Sequence, residues 1–431
     1  MQYRQHAAAG AAAVTGAARV AIVPLILIVS LFFLWGVANN LNDILIKQFK
    51  KAFELSDLQA GLVQSAFYLG YFVFALPAGM FMRRFGYKGA VVTGLALYAA
   101  GAFLFLPAAQ MHTYGLFLLA LFVLASGLAF LETSANPLVT VLGPPQGAAR
   151  RLNLAQAFNP LGAITGVLIG RYFIFSGVEH TPEQLAAMAP AAREAYLASE
   201  SAMVQGPYLV IGIIVALWAL LVLFTRFPRI DEGADSGSGF SHLGKLLRNG
   251  RFVFSVIAQF FYVGAQVGIW SYLIRYAQDV VPGTPERTAA DFLTASLVLF
   301  MIGRFVGTAL MRRVAPTLLL AVFAAVNVVL AAVAIAAPGT VGLYALVVVS
   351  FFMSVMFPTI FAMGLDRLED NERKLGSSLL VMAIVGGAVL TAAMGLTSDL
   401  FGIHWAMAVP LACFVVILGF AWRYRKVEAV V

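Results

Sequence analysis

The sequence predicts an all-α membrane protein: twelve transmembrane helices in two six-helix bundles. Three observations carry that prediction. Of the 431 residues, 61% are hydrophobic and only 11% charged, whereas a soluble domain carries about 25% charged residues. The mean hydropathy is +0.90, and apolar runs long enough to cross a bilayer, about 20 residues each, recur along the whole chain. Lysine and arginine gather in alternate loops, twenty on one side against five on the other. An even number of crossings places both termini on the basic side, which the positive-inside rule assigns to the cytoplasm.

Taken in order, the first 20 residues are Ala-rich with Arg4 and Arg19, and lack a short apolar core followed by a cleavage site. The run over 20–46 therefore reads as a membrane-spanning helix and not as a removed signal peptide. Runs at 58–82 and 89–107 flank the basic stretch RRFGYK, and 114–142 and 152–175 flank PPQGAARR. The outward connection that follows contains TPEQLAAMAPAAREAYLASES; Pro182 and Glu183 mark a helix start, so a short amphipathic helix is expected outside the membrane. A sixth run spans 207–226. The next connection, 227–249, holds DEGADSGSG, a flexible polar composition. It divides the chain into an N-terminal bundle (1–226), a linker (227–249) and a C-terminal bundle (250–431). Six more runs follow, at 251–278, 290–311, 317–337, 341–365, 376–399 and 404–422. Phe32, Phe33 and Gly36 align with Phe260, Phe261 and Gly264, and Met82-Arg83-Arg84 with Met311-Arg312-Arg313, at nearly one offset. Both matches support a duplicated six-helix unit.

Several runs contain polar residues that are costly in hydrocarbon and so should face a protein interior or a water-filled cavity. The first run carries Asn39, Asn40, Asn42 and Asp43, with Asn39 and Asp43 at i,i+4. Asp43 either ends the helix at the interface or faces such a cavity. In the fourth run, SGLAFLETSANPLVTVLG, Glu132 is too deep for an interfacial anchor, and Asn136 shares its face. Glu132 is either paired with a buried arginine, for which Arg304 is the main candidate, or free to bind and release a proton. The fifth run opens RRLNLAQAFNPLGAITG, a stripe of Asn153, Gln156 and Asn159. Such amides either join two helices or bind a ligand. In AQFFYVGAQVGIWSYLIRYA, Gln259, Tyr262, Gln266 and Trp270 recur at helical spacing. An aromatic plane beside amides suits a sugar ring, apolar on its face and polar at its edge; Trp270 is otherwise an interfacial belt residue.

Other classes find no support. The single cysteine, Cys413, excludes an intrachain disulfide and a cysteine metal site. His112, His242 and His404 sit in or beside loops without metal-ligand spacing. There is no phosphate-loop pattern and no nucleophile–base constellation, so neither an enzyme nor a cofactor or metal site is expected. The net charge of +8 follows from loop topology and does not call for nucleic acid.

The stretches WGVANNLNDIL, AGLVQSAFYLGYF, GLAFLETSANPLVTVLGP, RLNLAQAFNPLGA, AQFFYVGAQVGIWSYLIRYA, IGRFVGT and FPTIFAMG resemble the L-fucose:proton symporter branch of the major facilitator superfamily, across nearly all of the membrane part. The resemblance implies alternating access and proton-driven uptake of a monosaccharide across the cytoplasmic membrane, L-fucose or a related hexose. It makes Asp43 the coupling aspartate, Glu132 the proton-carrying glutamate, and Asn40, Gln156 and Asn159 cavity amides. Asn136, Tyr262, Gln266, Trp270 and Phe357 complete the expected sugar site. Where a tyrosine is expected before PTIF the chain has Phe357, which removes a cavity hydroxyl; related members carry galactose, glucose or amino sugars. The expected partners are the sugar, protons and the lipid bilayer, with a monomer as the working unit. The competing readings are a proton-independent facilitator and a transporter-like sensor.

Overall fold

The computed structural model describes residues 22–55, 57–175, 180, 182–227 and 239–425. The first six crossings are built from α1 (Ile22–Ala52), α2 (Asp57–Gln110), α3 (Tyr114–Val141), α4 (Ala148–Gln156), α5 (Asn159–Ile169), the short helices α6 (Pro182–Ala187) and α7 (Pro190–Ala202), and α8 (Gln205–Phe224). Then come α9 (Gly239–Arg248), α10 (Gly250–Val280), α11 (Glu286–Leu310), α12 (Pro316–Ala336), α13 (Thr340–Met353), α14 (Met356–Leu365), α15 (Asp370–Met382), α16 (Gly386–Phe401), α17 (Ile403–Ala406) and α18 (Ala408–Tyr424). Among the described residues there is no strand, as expected where lipid offers the backbone no hydrogen bonds and each segment must satisfy its own. The expected linker lies partly outside the described residues; its tail is α9. The connection where one short amphipathic helix is expected holds two, α6 and α7.

Among the described residues eleven helical stretches, against twelve expected crossings, are long and apolar enough to span a bilayer. The difference lies in α2. Its apolar part, Ser65–Gln110, has 46 residues, about 69 Å at 1.5 Å per residue, or twice the hydrocarbon thickness of about 30 Å. The helix is broken at Gly86, whose φ of 72° and ψ of 173° are open to glycine and costly for any residue with a Cβ. The second and third crossings therefore meet end to end at Gly86, within the basic stretch read from sequence as their loop.

Small residues set the helix contacts, as they must where lipid removes the hydrophobic drive between helices. A Cβ at Gly36 would collide with the Asn159 carbonyl, and one at Gly162 with the Phe33 carbonyl, so α1 and α5 touch backbone to backbone. In the second bundle Gly386 meets the Phe260 carbonyl and Gly264 meets Leu390. The contact of crossings one and five is thus repeated by crossings seven and eleven, the spatial counterpart of the sequence repeat. At the centre, α3 is buried without interruption from Leu124 to Thr140, and every residue of α14 is buried.

The bundles meet at the end that carries the basic loops. There the Tyr87 hydroxyl donates to Asp370 Oδ1 at 2.9 Å, and buried Lys374 pairs with Asp370 at 2.7 Å. A side chain at Gly79 would collide with Ser378. Toward the opposite end, α2 and α15–α16 leave between them an apolar cleft, with Tyr68, Tyr71 and Phe72 on one wall and Met382, Val385 and Ala388 on the other. At that opposite end α7 is clamped to α1. Gln48 Nε2 donates to the Glu200 carbonyl at 2.7 Å, Lys51 pairs with Glu200 at 2.9 Å, and Arg193 pairs with Glu54 at 2.7 Å.

Candidate functional site

The fourth and fifth crossings supply a continuous polar chain. Gln156, the last residue of α4, donates from Nε2 to Asn136 Oδ1 at 2.9 Å. Asn136 in turn donates from Nδ2 to the Glu132 carbonyl at 3.0 Å. All three side chains are buried, which such amides tolerate only when hydrogen-bonded. Glu132 is 3% exposed, and among the described residues no cation pairs with it. Tyr71 lies within electrostatic reach of Glu132 and beside Trp35. Neither the Tyr71 hydroxyl nor Trp35 Nε1 has hydrogen-bond geometry to a partner, although both are buried. Tyr71 is thus a buried donor between the acid and the Trp35 indole. Sequence reading missed Tyr71, although Tyr68 and Tyr71, at i,i+3 in an otherwise apolar run, were a usable signal.

Asn159 and Asn40 are half-buried on the α1–α5 seam. Asn159 Nδ2 donates to the Phe32 carbonyl at 3.3 Å, and Asn40 Nδ2 to the Gly36 carbonyl at 3.3 Å, with the Asn40 Cβ against Gly166. Both amides therefore serve main-chain carbonyls of α1 in this state. The backbone of Asp43 belongs to α1; its side chain lies outside the described residues.

The second bundle presents aromatics. Tyr262 is fully buried and meets Phe357 edge-on at 6.1 Å between centroids; Phe357 stacks on Phe361. The Tyr262 hydroxyl lies beside the Arg304 guanidinium without hydrogen-bond geometry. Gln259, one turn earlier in α10, is buried with neither end of its amide bonded. Trp270 Nε1 donates to Ser350 Oγ at 3.1 Å, and Ser350 bonds Ser296 in turn. Its indole N–H thus points into the bundle, not to the membrane surface as a belt residue would. Gln266 is half-buried.

Two side chains join the bundles beside this chain. Asn153 Nδ2 donates to Thr359 Oγ1 at 3.1 Å. Arg304, 4% exposed, donates from Nη1 to the Gln156 carbonyl at 2.8 Å and from Nε to the Ser354 carbonyl at 2.8 Å. Its guanidinium also lies 4.6 Å from the Phe300 ring centroid. The acid partner expected for Arg304 is not what it meets: two main-chain carbonyls take its donors.

The sequence matches the Major Facilitator Superfamily over residues 25–390. It is 48% identical over 420 residues to the L-fucose-proton symporter of Escherichia coli (strain K12), covering 96% of this chain and 95% of that one. It is 37% identical over 385 residues to a glucose/galactose transporter of Brucella abortus, covering 89% and 90%. Among solved structures, the transporter FucP in the outward conformation superposes with a TM-score of 0.88 at 48% identity, over 94% of this chain and 99% of that one. With the all-helical architecture, the repeated glycine contacts and an identity that runs the length of both chains, this chain belongs to the Major Facilitator Superfamily.

Proposed function

We propose that the protein is a proton-coupled monosaccharide symporter working by alternating access, and that it takes L-fucose or a related hexose such as galactose or glucose. The observation that carries this reading is the buried Glu132 carboxyl, without a cation among the described residues, at the head of the Asn136–Gln156 amide chain. A fixed counter-ion would hold the acid ionised; without one it can exchange a proton as its surroundings change. The named relatives, an L-fucose-proton symporter and a glucose/galactose transporter, support the substrate class. Sugar binds between bundles 1–226 and 250–431, which the 227–249 linker joins. The basic loops and both termini face the cytoplasm, so the Tyr87–Asp370 contact closes the inner end and the apolar cleft opens outward.

Gln156, Asn136 and Asn159 bind the sugar hydroxyls from one bundle, through the amide hydrogens and oxygens that their bonds to Asn136, to the Glu132 carbonyl and to the Phe32 carbonyl do not use. Tyr262, Phe357 and Trp270 offer aromatic faces from the other, with Gln266 at the rim and Asn40 on the α1–α5 seam. Asp43, in the outer part of the first crossing, links proton to sugar, and Glu132 carries the proton. Binding of both shifts the population to the state open at the inner end. The protein acts as a monomer and carries out no covalent chemistry.

A panel of monosaccharides tested on proteoliposomes containing a pH-sensitive dye checks the reading. L-fucose or a related hexose moves protons with it. Sugar flux with no proton movement makes the protein a facilitator, and sugar binding without flux makes it a sensor.

A further inference from the structure

In an α-helix the carbonyl of residue i accepts the N–H of residue i+4. Proline has no N–H to give. Two carbonyls beside the candidate site lose that partner: Gln156, with Pro160 at i+4, and Ser354, with Pro358 at i+4. The first lies where α4 gives way to α5, and the second where α13 gives way to α14. A buried carbonyl left without a donor is costly. Arg304 supplies both donors, from Nη1 to Gln156 and from Nε to Ser354, each at 2.8 Å.

The two bonds differ in what they join. Ser354 belongs to the same bundle as Arg304, and Gly303 fixes that side, because a Cβ there would collide with the Phe351 carbonyl. Arg304 is thereby carried rigidly on the α13–α14 interruption. Gln156 belongs to the other bundle, so its bond must break when one bundle rocks against the other. Gln156 also bonds Asn136 through its side chain. One residue therefore offers its amide to the polar chain and its carbonyl to the opposite bundle.

We infer that Arg304 is an inter-bundle latch: it bridges two proline-freed carbonyls, holds the inner end closed, and releases the Gln156 carbonyl when the transporter turns over. It is a positioning residue, not a sugar ligand and not the counter-ion of Glu132. The inference rests on the alternating-access reading above. A hydrogen bond from a charged donor biases an equilibrium by roughly 10- to 150-fold, and that is the expected shift toward the inner-open state when the bond is lost.

Spin labels at Gln59→Cys on the outer start of α2 and Asp399→Cys on the outer end of α16, on a Cys413→Ser background, report the width of the outer mouth by pulsed EPR. Arg304→Met moves the population from the long toward the short distance, while Arg304→Lys, which keeps the charge but not the fork of donors, moves it less. Pro160→Ala leaves Arg304 intact and returns an N–H to compete for the Gln156 carbonyl. It shifts the population in the same direction, and remains informative if Arg304→Met fails to reach the membrane folded. Unchanged distances in both Arg304→Met and Pro160→Ala would overturn the latch, as would loss of sugar binding in Arg304→Met at unchanged distances. Proton movement by the parent protein is scored separately. If the parent moves no protons but the distances still shift, the latch stands and the symport reading falls.

Discussion

Glu132 combines deep burial with a lack of cations among the described residues and the nearby Tyr71 and Trp35 donors. A glutamine there keeps the shape and mimics the protonated acid. Glu132→Gln is therefore expected to abolish accumulation driven by a proton gradient while leaving sugar exchange running, as measured by counterflow of labelled sugar. Gln156 is a different case, because its side chain bonds Asn136 and its carbonyl bonds Arg304. Gln156→Ala removes only the first bond and leaves a buried amide of Asn136 and a sugar hydroxyl unpaired. At about 1–3 kcal/mol for such a loss, sugar affinity should fall roughly 5- to 150-fold, as read by isothermal titration. A normal affinity in a well-folded variant would reduce Gln156 to helix packing. At Phe357, edge-on to Tyr262, an added hydroxyl offers a bond that sugars of different stereochemistry use unequally. Phe357→Tyr should change the ranking of fucose, galactose and glucose in a competition assay more than it changes expression; an unchanged ranking would place residue 357 outside the sugar site.

The α1–α5 contact depends on glycines more than on the asparagines beside them. Gly36→Ala drives a methyl into the Asn159 carbonyl, and overpacking of this kind costs about 1–3 kcal/mol. The purified variant should unfold at a lower temperature, whereas Gly115→Ala, where a Cβ meets open space, should not. At this scale much was legible from sequence. Spans follow from hydropathy, which needs no tertiary information, and the helix α6 followed from its start at Pro182. The Phe32–Gly36 and Phe260–Gly264 match pointed to the repeated contact because a close approach demands a small residue. The interruptions between α4 and α5 and between α13 and α14 were not read from sequence, which took 152–175 and 341–365 as unbroken runs, although Pro160 and Pro358 were a usable signal. What meets the carbonyls they free was not legible. Every residue has a carbonyl, so a side chain that seeks one leaves no pairing signature. Arg304 was therefore matched with an acid, the partner that sequence can display.

Across the whole molecule, the bundles touch through Tyr87–Asp370, Asn153–Thr359 and Arg304–Gln156, all toward the basic-loop end, and leave a cleft toward the other. That asymmetry is what one state of an alternating-access transporter requires: a site closed to one compartment and approachable from the other. The all-helical membrane fold was legible because hydropathy and loop charge are additive along the chain; which end is closed was not, because it depends on contacts between residues more than a hundred positions apart. The central claim is that sugar movement and proton movement are one process carried through Glu132. The most direct measurement is the pH of the medium around weakly buffered, de-energised cells expressing the protein as sugar is added. The account predicts alkalinisation on adding L-fucose or a related hexose, absent in Glu132→Gln although that variant still exchanges sugar. Uptake of the sugar without alkalinisation, or alkalinisation undiminished in Glu132→Gln, would contradict it.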